Sequence, residues 1–419
     1  MTTAKDAVPP LRGVRVLDFG GQIAGPLVGM LLADQGADVI KVVRPARVGS
    51  TRPIDAVLDR GKRCIEVDLN DPLDRSMIAA LVKDANIVIE NFSPRVRKKL
   101  MLQAEDIHRQ NADAIVVSLP GISEQDTLLE DAQAFEGLIA AATAQYTNIH
   151  AARQILGLDP VYTALPLASI YAGVHGATAA VIALQNHLSS AGGRVIEVPL
   201  ANAAVSAMSS LHMRVERQPS RYDAPRLPRV VKAIALPLMR GWARRGGPEV
   251  QAKLLDITRK AYPALMTSYP CADGRLLYLF AIDNGKIVRA ALQALGLLDG
   301  LLAEGLIFEN PFHSGDRRNN LSESSNLSSK WQARLKESIR EVLLTRPAAD
   351  WETRLNDAGV PCAVQRSTKD WLALPELRAA GIVTDIDDPI LGLSSQPGPQ
   401  IAVSSEGGST APPQPRRMV

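Results

Sequence analysis

The sequence predicts an α/β protein built on a parallel sheet. Two observations carry that prediction: a β-α-β unit with tight glycine turns between Gly13 and Pro45, and a continued alternation of strand-like and helix-like runs through the first 200 residues. A third, 46% hydrophobic content over 419 residues, gives a chain long enough for two or three domains and a large core.

In the opening unit, Val14 to Asp18 reads as a short strand that Gly20 and Gly21 interrupt. Gly25-Pro26 then opens a helix with Pro in the first turn, where its missing N–H costs nothing. Leu27, Met30, Leu31 and Leu32 give that helix an apolar face, Gly36 ends it, and residues 37–42 form the next strand. Such a unit leaves a binding crevice at the strand ends. Its glycines at 20, 21 and 25 do not make the G-x-G-x-x-G spacing of dinucleotide sites.

Downstream, a basic turn from Asp59 leads into a strand ending near Leu69, and Asp71 is the expected N-cap of a helix to about Lys83. A strand over 85–90 runs into Asn91-Phe92-Ser93-Pro94, and 114–118 gives another. A helix is expected over 131–144. A long helix rich in Gly and Ala starts at Pro166, its small residues inviting close approach by a second helix, and 193–198 returns as strand. Between 215 and 250, scattered arginines, prolines and Gly246-Gly247-Pro248 read as a long surface linker, where connections are ordinarily about 4–6 residues. Beyond it come a turn at Asp273-Gly274 leading into a strand, a polar loop over 315–330, helices over 331–344 and 348–358, and a loosely attached tail from 407.

A net charge of +3 spread along the chain gives little support for nucleic-acid binding. The run Arg95 to Lys99 reads as a solvated helix face, with a polyanion site as its alternative. Cys64, Cys271 and Cys362 are far apart and form no C-x-x-C; no metal is expected, and all three are read as reduced and buried in a cytoplasmic protein. The N-terminus carries no apolar signal core, and no apolar run is read as long enough for a membrane span, the longest being 177–184.

The motifs carry a resemblance. Gly13 to Pro45 follows G-V-R-V-L-D…A-G-P…L-A-D-x-G-A-D-V-I-K-V-E-R-P, with Val43 at the Glu, and Gly21 where a polar residue such as His often precedes A-G-P. Asp59 to Leu69, Glu90 to Pro94, Gln133-Ala134 with Gly137-Leu138 (Q-A-x-S-G-L), Gly193 to Val198 and Gly359 to Ala363 match further blocks. This pattern resembles the family III CoA-transferases, related to carnitine dehydratase and bile-acid-inducible proteins.

The resemblance implies a Rossmann-like large domain made from both chain ends (1–214 and 331–406), a linker over 215–250, a small domain over 251–330, a flexible tail over 407–419, and two subunits interlocked as a dimer. It implies acyl-CoA and a carboxylic acid as substrates, with CoA held by Ile23, Ala24, Arg44, Val67, Asn91, Phe92 and Lys98 or Lys99. It also implies a nucleophilic Asp in P-x-A-D-x-x-x-G, and that place is Ser169. A serine ester cannot become an enzyme-CoA thioester, and His175 lies about 240° round the helix, off the Ser169 face. Ser169 is read instead as a residue bonding a backbone N–H at the helix start. The family's racemase His would fall near Leu128 or Leu129, which leaves Glu130 and Asp131 as shifted acids or a solvated helix start. The reading favoured is the Asp-lacking subunit of a heteromeric CoA-transferase with an Asp-bearing paralogous partner. The alternatives are a homomeric transferase or racemase-like enzyme with a displaced acid, and a non-catalytic acyl-CoA-binding protein.

Overall fold

The strand expected at the start of the chain forms as β1 (Arg15–Asp18) and lies inside a seven-stranded sheet. It is followed by β2 (Asp38–Val43), β3 (Arg63–Glu66), β4 (Ile87–Glu90), β5 (Ile115–Ser118) and β6 (Arg194–Glu197). Across the sheet the order is the strand Arg417–Met418, then β3, β2, β1, β4, β5 and β6, every pairing parallel. β4 and β5 are buried at every position, as apolar strands covered on both faces must be. From β1 the chain builds outward through β3, then returns to the other side of β1 for β4. Strand order therefore reverses between β1 and β4.

The computed structural model describes residues 8–45, 51–126, 135–149, 151–187, 192–217, 231–260, 262–311, 318–405, 408–409 and 414–418. The chain divides into two compact units, one of residues 1–154, 159–228 and 374–419, the other of 155–158 and 229–373.

In the first unit, α1 (Ala24–Asp34) is buried from Ala24 through Leu32, not only along one stripe. The reason is a second cover: the long helix Leu167–His187 packs on it and places Ala168, Ala172, Ala177, Ala180 and Ala183 in the same core. A Cβ at Gly173 would sit 2.7 Å from Leu27 Cδ2, and one at Gly176 3.0 Å from Val28 Cγ2. The small residues thus set the helix separation. This helix also corrects the expectation about apolar length: over Leu167–Asn186 it is long and apolar enough to cross a membrane, yet 44% of its apolar window is buried in the core. On the opposite face of the sheet, Leu17, Val42, Val88 and Val116 meet Ile78, Val82 and Ile107, each such side chain contributing roughly 1.5–3 kcal/mol when fully buried.

The expected tail is corrected as well. Arg417–Met418 adds the edge strand beside β3, and buried Arg416 donates to Asp388 at 2.8 Å. An ion pair and ladder hydrogen bonds hold a segment whose composition reads as loose.

The second unit has its own core. Strands Met266–Pro270, Leu276–Phe280 and Cys362–Val364 form an antiparallel sheet. Helices Ser329–Leu343 and Ala348–Asp357, expected to rejoin the large domain, bury Leu335, Ile339, Leu343, Trp351 and Leu355 in this unit instead. The stretch read as linker carries helices Leu236–Arg245 and Pro248–Lys260, anchored by Ala243 and Leu254 against Leu156. Leu321–Asn326, expected as loop, is a 3-10 turn that buries Leu321. Cys64 and Cys271 are buried, whereas Cys362 is half-buried.

Candidate active site

The reversal between β1 and β4 makes a topological switch point at the carboxyl ends of those strands, the usual ligand position in an open α/β sheet. The loop after β1 is folded tightly there. A Cβ at Gly20 would lie 2.6 Å from Gly25 Cα, so only glycine lets the loop cross the start of α1. Gln22 follows with φ of 60°, and Arg52 donates to its side-chain oxygen at 2.9 Å and to its carbonyl at 3.0 Å.

Beneath the loop lies a buried ionic cluster. Asp18, at the end of β1, accepts from Lys62 Nζ at 2.8 Å, Lys41 Nζ at 3.2 Å and the Gly20 N–H at 2.7 Å. Lys62 also donates to the Pro26 carbonyl at 2.8 Å, and Lys41 to the Gly20 carbonyl. Burial alone would push the Asp18 carboxyl up, but the charges of Lys41 and Lys62 outweigh it and hold the group below the ordinary carboxylate value. The cluster fixes both the loop and the first turn of α1.

Asn91, just past β4, ties that strand end to the loop after β1. Its side-chain oxygen accepts from the Gly21 N–H at 2.7 Å and its amide donates to the Gly21 carbonyl at 2.8 Å. Phe92 is half-buried against the far core, and its N–H donates to Glu90 at 3.0 Å. Ile23 is half-buried at the N-cap of α1, where no side chain caps the helix. Arg44 follows β2 and is exposed; Val67 follows β3 and is a core residue, with Ala24 equally buried, so both can meet a ligand only through backbone. Ile23, Ala24, Arg44, Val67, Asn91 and Phe92 therefore share the carboxyl edge of the sheet.

The basic run divides. Lys98 and Lys99 are exposed on the helix Pro94–Leu100, while Arg97 turns inward, donating to Glu90 at 3.0 Å, to Ser118 at 2.8 Å and to Glu124. Burial pushes the Glu90 carboxyl up against the pull of Ser118 and Arg97. The solvated-face reading thus fails at Arg97 alone.

Ser169 is buried in the first turn of the long helix. It does not bond a backbone N–H, as its position suggested. Its hydroxyl donates to Glu136 Oε2 at 2.5 Å, and Glu136 takes the backbone groups: Oε2 accepts from the Ser169 N–H at 2.9 Å, and Oε1 from the Ala168 N–H at 3.0 Å. Glu136, the first residue of the helix Glu136–Ala142, is half-buried. The long helix that carries Ser169 packs on α1, where Leu27 meets Gly173. Glu130 and Asp131 lie outside the described residues.

Glu136 was not singled out from sequence. A signal existed: in Q-A-x-S-G-L the Ser falls at position 136. Lys41 and Lys62 were missed too, although Lys41, within the apolar strand β2, is itself a sign of a buried partner.

A doubly covered parallel sheet with a glycine-lined switch point at its carboxyl edge defines a protein of the open-sheet α/β class. Its family follows from comparison with known proteins. The model of CoA-transferase family III matches residues 11–230 and 239–417, and the chain belongs to that family. The CoA-transferase/lyase DddD of Marinomonas sp. is 30% identical over 414 residues, covering 98% of this chain and 48% of DddD, so the chain spans about half the length of that relative. Succinyl-CoA--D-citramalate CoA-transferase of Chloroflexus aurantiacus is 25% identical, covering 91% of this chain and 85% of the relative. Among solved structures, Rv3272 of Mycobacterium tuberculosis shares the fold with a TM-score of 0.65 at 21% identity, covering 97% of each chain. A CAIB/BAIF family protein from Brucella suis does so at 0.64 and 21%, covering 97% of this chain and 95% of that one.

Proposed function

We propose that this chain binds a CoA thioester at the β1/β4 switch point and moves CoA between carboxylic acids. The observation that carries the reading is the family match over both chain halves, whose densest blocks fall on the loops of one sheet edge. The uncapped start of α1 and the Arg44 guanidinium suit the phosphates, and Phe92 offers an apolar face. Asn91 holds the loop open-ended on one side by its two bonds to Gly21. Lys98 and Lys99, on the helix that starts from this edge, add positive charge.

A second reading has a specific observation behind it. DddD aligns with nearly all of this chain through only 48% of its own length, so a family protein exists with room for a second unit of similar size. In that reading this chain is the Asp-lacking member of a pair, and a paralogous unit supplies the acid missing at Ser169. The interlocked dimer belongs to the same proposal. It is supported by Val174, Val181 and Ile182, which stay exposed on the long helix.

Calorimetry with CoA tests the site: Arg44→Ala with Phe92→Ala should weaken binding at least tenfold, and unchanged binding would reject it. Transfer from succinyl-CoA to glutarate by the chain alone, and beside an Asp-bearing family III unit, separates the two readings. A stable folded monomer in sedimentation at micromolar concentration would exclude interlocking.

A further inference from the structure

We infer that Glu136 is the carboxylate that accepts the acyl group in this chain. This rests on the CoA-transfer reading. Against the pattern that the resemblance implies, two departures are reciprocal: Ser169 stands where that pattern has an acid, and Glu136 where it has a hydroxyl. The structure joins those two positions by a hydrogen bond of 2.5 Å, although 33 residues separate them. Carboxylate and hydroxyl have changed sides of one contact.

The exchange leaves the charge in nearly the same place. Glu136 reaches across from its own helix to the N–H groups of Ala168 and Ser169, in the first turn of the helix that packs on α1. Glu136 is only half-buried, and among the described residues its Oε1 accepts one bond, from the Ala168 N–H, which leaves that oxygen a lone pair for attack.

The step balances without a further reactant. A Glu136 oxygen attacks the thioester carbonyl, the C–S bond breaks, and CoA leaves as thiolate, giving a mixed anhydride. The thiolate then attacks the glutamyl carbonyl, releasing the first carboxylate and leaving a glutamyl-CoA thioester. The acceptor carboxylate attacks that thioester and the sequence runs in reverse, restoring Glu136. Ser169 is a positioning residue that holds one oxygen through its hydroxyl.

The test is to incubate the purified chain with succinyl-CoA, formyl-CoA and acetyl-CoA in turn, trap with hydroxylamine, and map the hydroxamate by mass spectrometry. The hydroxamate is expected at position 136. Glu136→Gln should remove it while CoA affinity stays within about threefold. Because that variant also weakens the helix cap, a double variant, E136S/S169D, restores the pair in the opposite sense and should move the hydroxamate to position 169. A hydroxamate at Glu130, Asp131 or any other acid would overturn the inference and leave the CoA-transfer reading standing, as would transfer with no trapped adduct. A chain that transfers CoA from none of the three donors to glutarate would overturn the inference, and one that also binds no CoA by calorimetry would overturn both.

Discussion

Lys62 and Asp18 form a salt bridge of 2.8 Å in which neither side chain is exposed. It joins the turn before β3 to the end of β1, beneath the loop of the candidate site, and Asp59 lies 3.4 Å from the same Nζ. Removing the lysine leaves buried Asp18 with Lys41 as its remaining cation and Asp59 with Arg416 at 3.7 Å, so Lys62→Met should cost about 3–5 kcal/mol in chemical denaturation. A loss below about 1 kcal/mol would mean that water reaches Asp18.

The same pair sets a pH window. Asp18 titrates below its ordinary 3.8 in the fold, so its contribution is present above that value and lost as pH falls through the folded one. Burial alone would lower Lys62, but Asp18 and Asp59 raise it above 10.5, so its contribution is present below that value and lost as pH rises through the folded one. The stability difference between wild type and Lys62→Met should therefore hold across neutral pH and shrink below about pH 4. Denaturation midpoints at several pH values read this directly.

Gly173→Ala should destabilise by about 1–3 kcal/mol, because the added methyl meets Leu27 at its Cβ and Cδ2. Gly20→Ala should be worse, since its methyl meets the Gly25 backbone rather than a side chain that can turn. Melting temperatures rank the two, and equal values would contradict the close crossing of loop and helix.

Asn91→Ala removes both bonds to Gly21 and frees the loop after β1. CoA affinity should fall about tenfold, the equivalent of about 1.4 kcal/mol, with a smaller effect on stability. Calorimetry beside thermal melting distinguishes this from general unfolding.

Burial pushes the thiols of Cys64, Cys271 and Cys362 up to about 11. Alkylation by iodoacetamide at pH 8 should be slow and should rise about tenfold per pH unit, with half-buried Cys362 first. Fast labelling of Cys64 at pH 8 would show that β3 opens.

The parallel sheet was legible because each strand carries a local apolar run between turn residues, and those runs appear within a few residues of their expected places. The switch-point loops were legible for the same reason: Gly20, Gly21 and Asn91 sit at strand ends. What stayed hidden depends on contacts across long stretches of chain. Glu136 meets Ser169 from 33 residues away, and Arg60 reaches Pro397 and Asp34 from opposite ends of the sequence. Arg97 turns inward only because Glu90 and Ser118 wait on neighbouring strands. No local pattern separates it from Lys98. The edge strand at Arg417 has only two residues, too few to show a period.

That edge strand has a consequence for the order of assembly during synthesis. Residues 229–373, which make up most of the second unit, leave the ribosome before Arg416 and Arg417 exist. Until then β3 presents a bare flank, and Asp388 and Asp59 await the arginine that reaches both. The inserted unit can thus finish folding while its host remains open along one side, and the host sheet is sealed last.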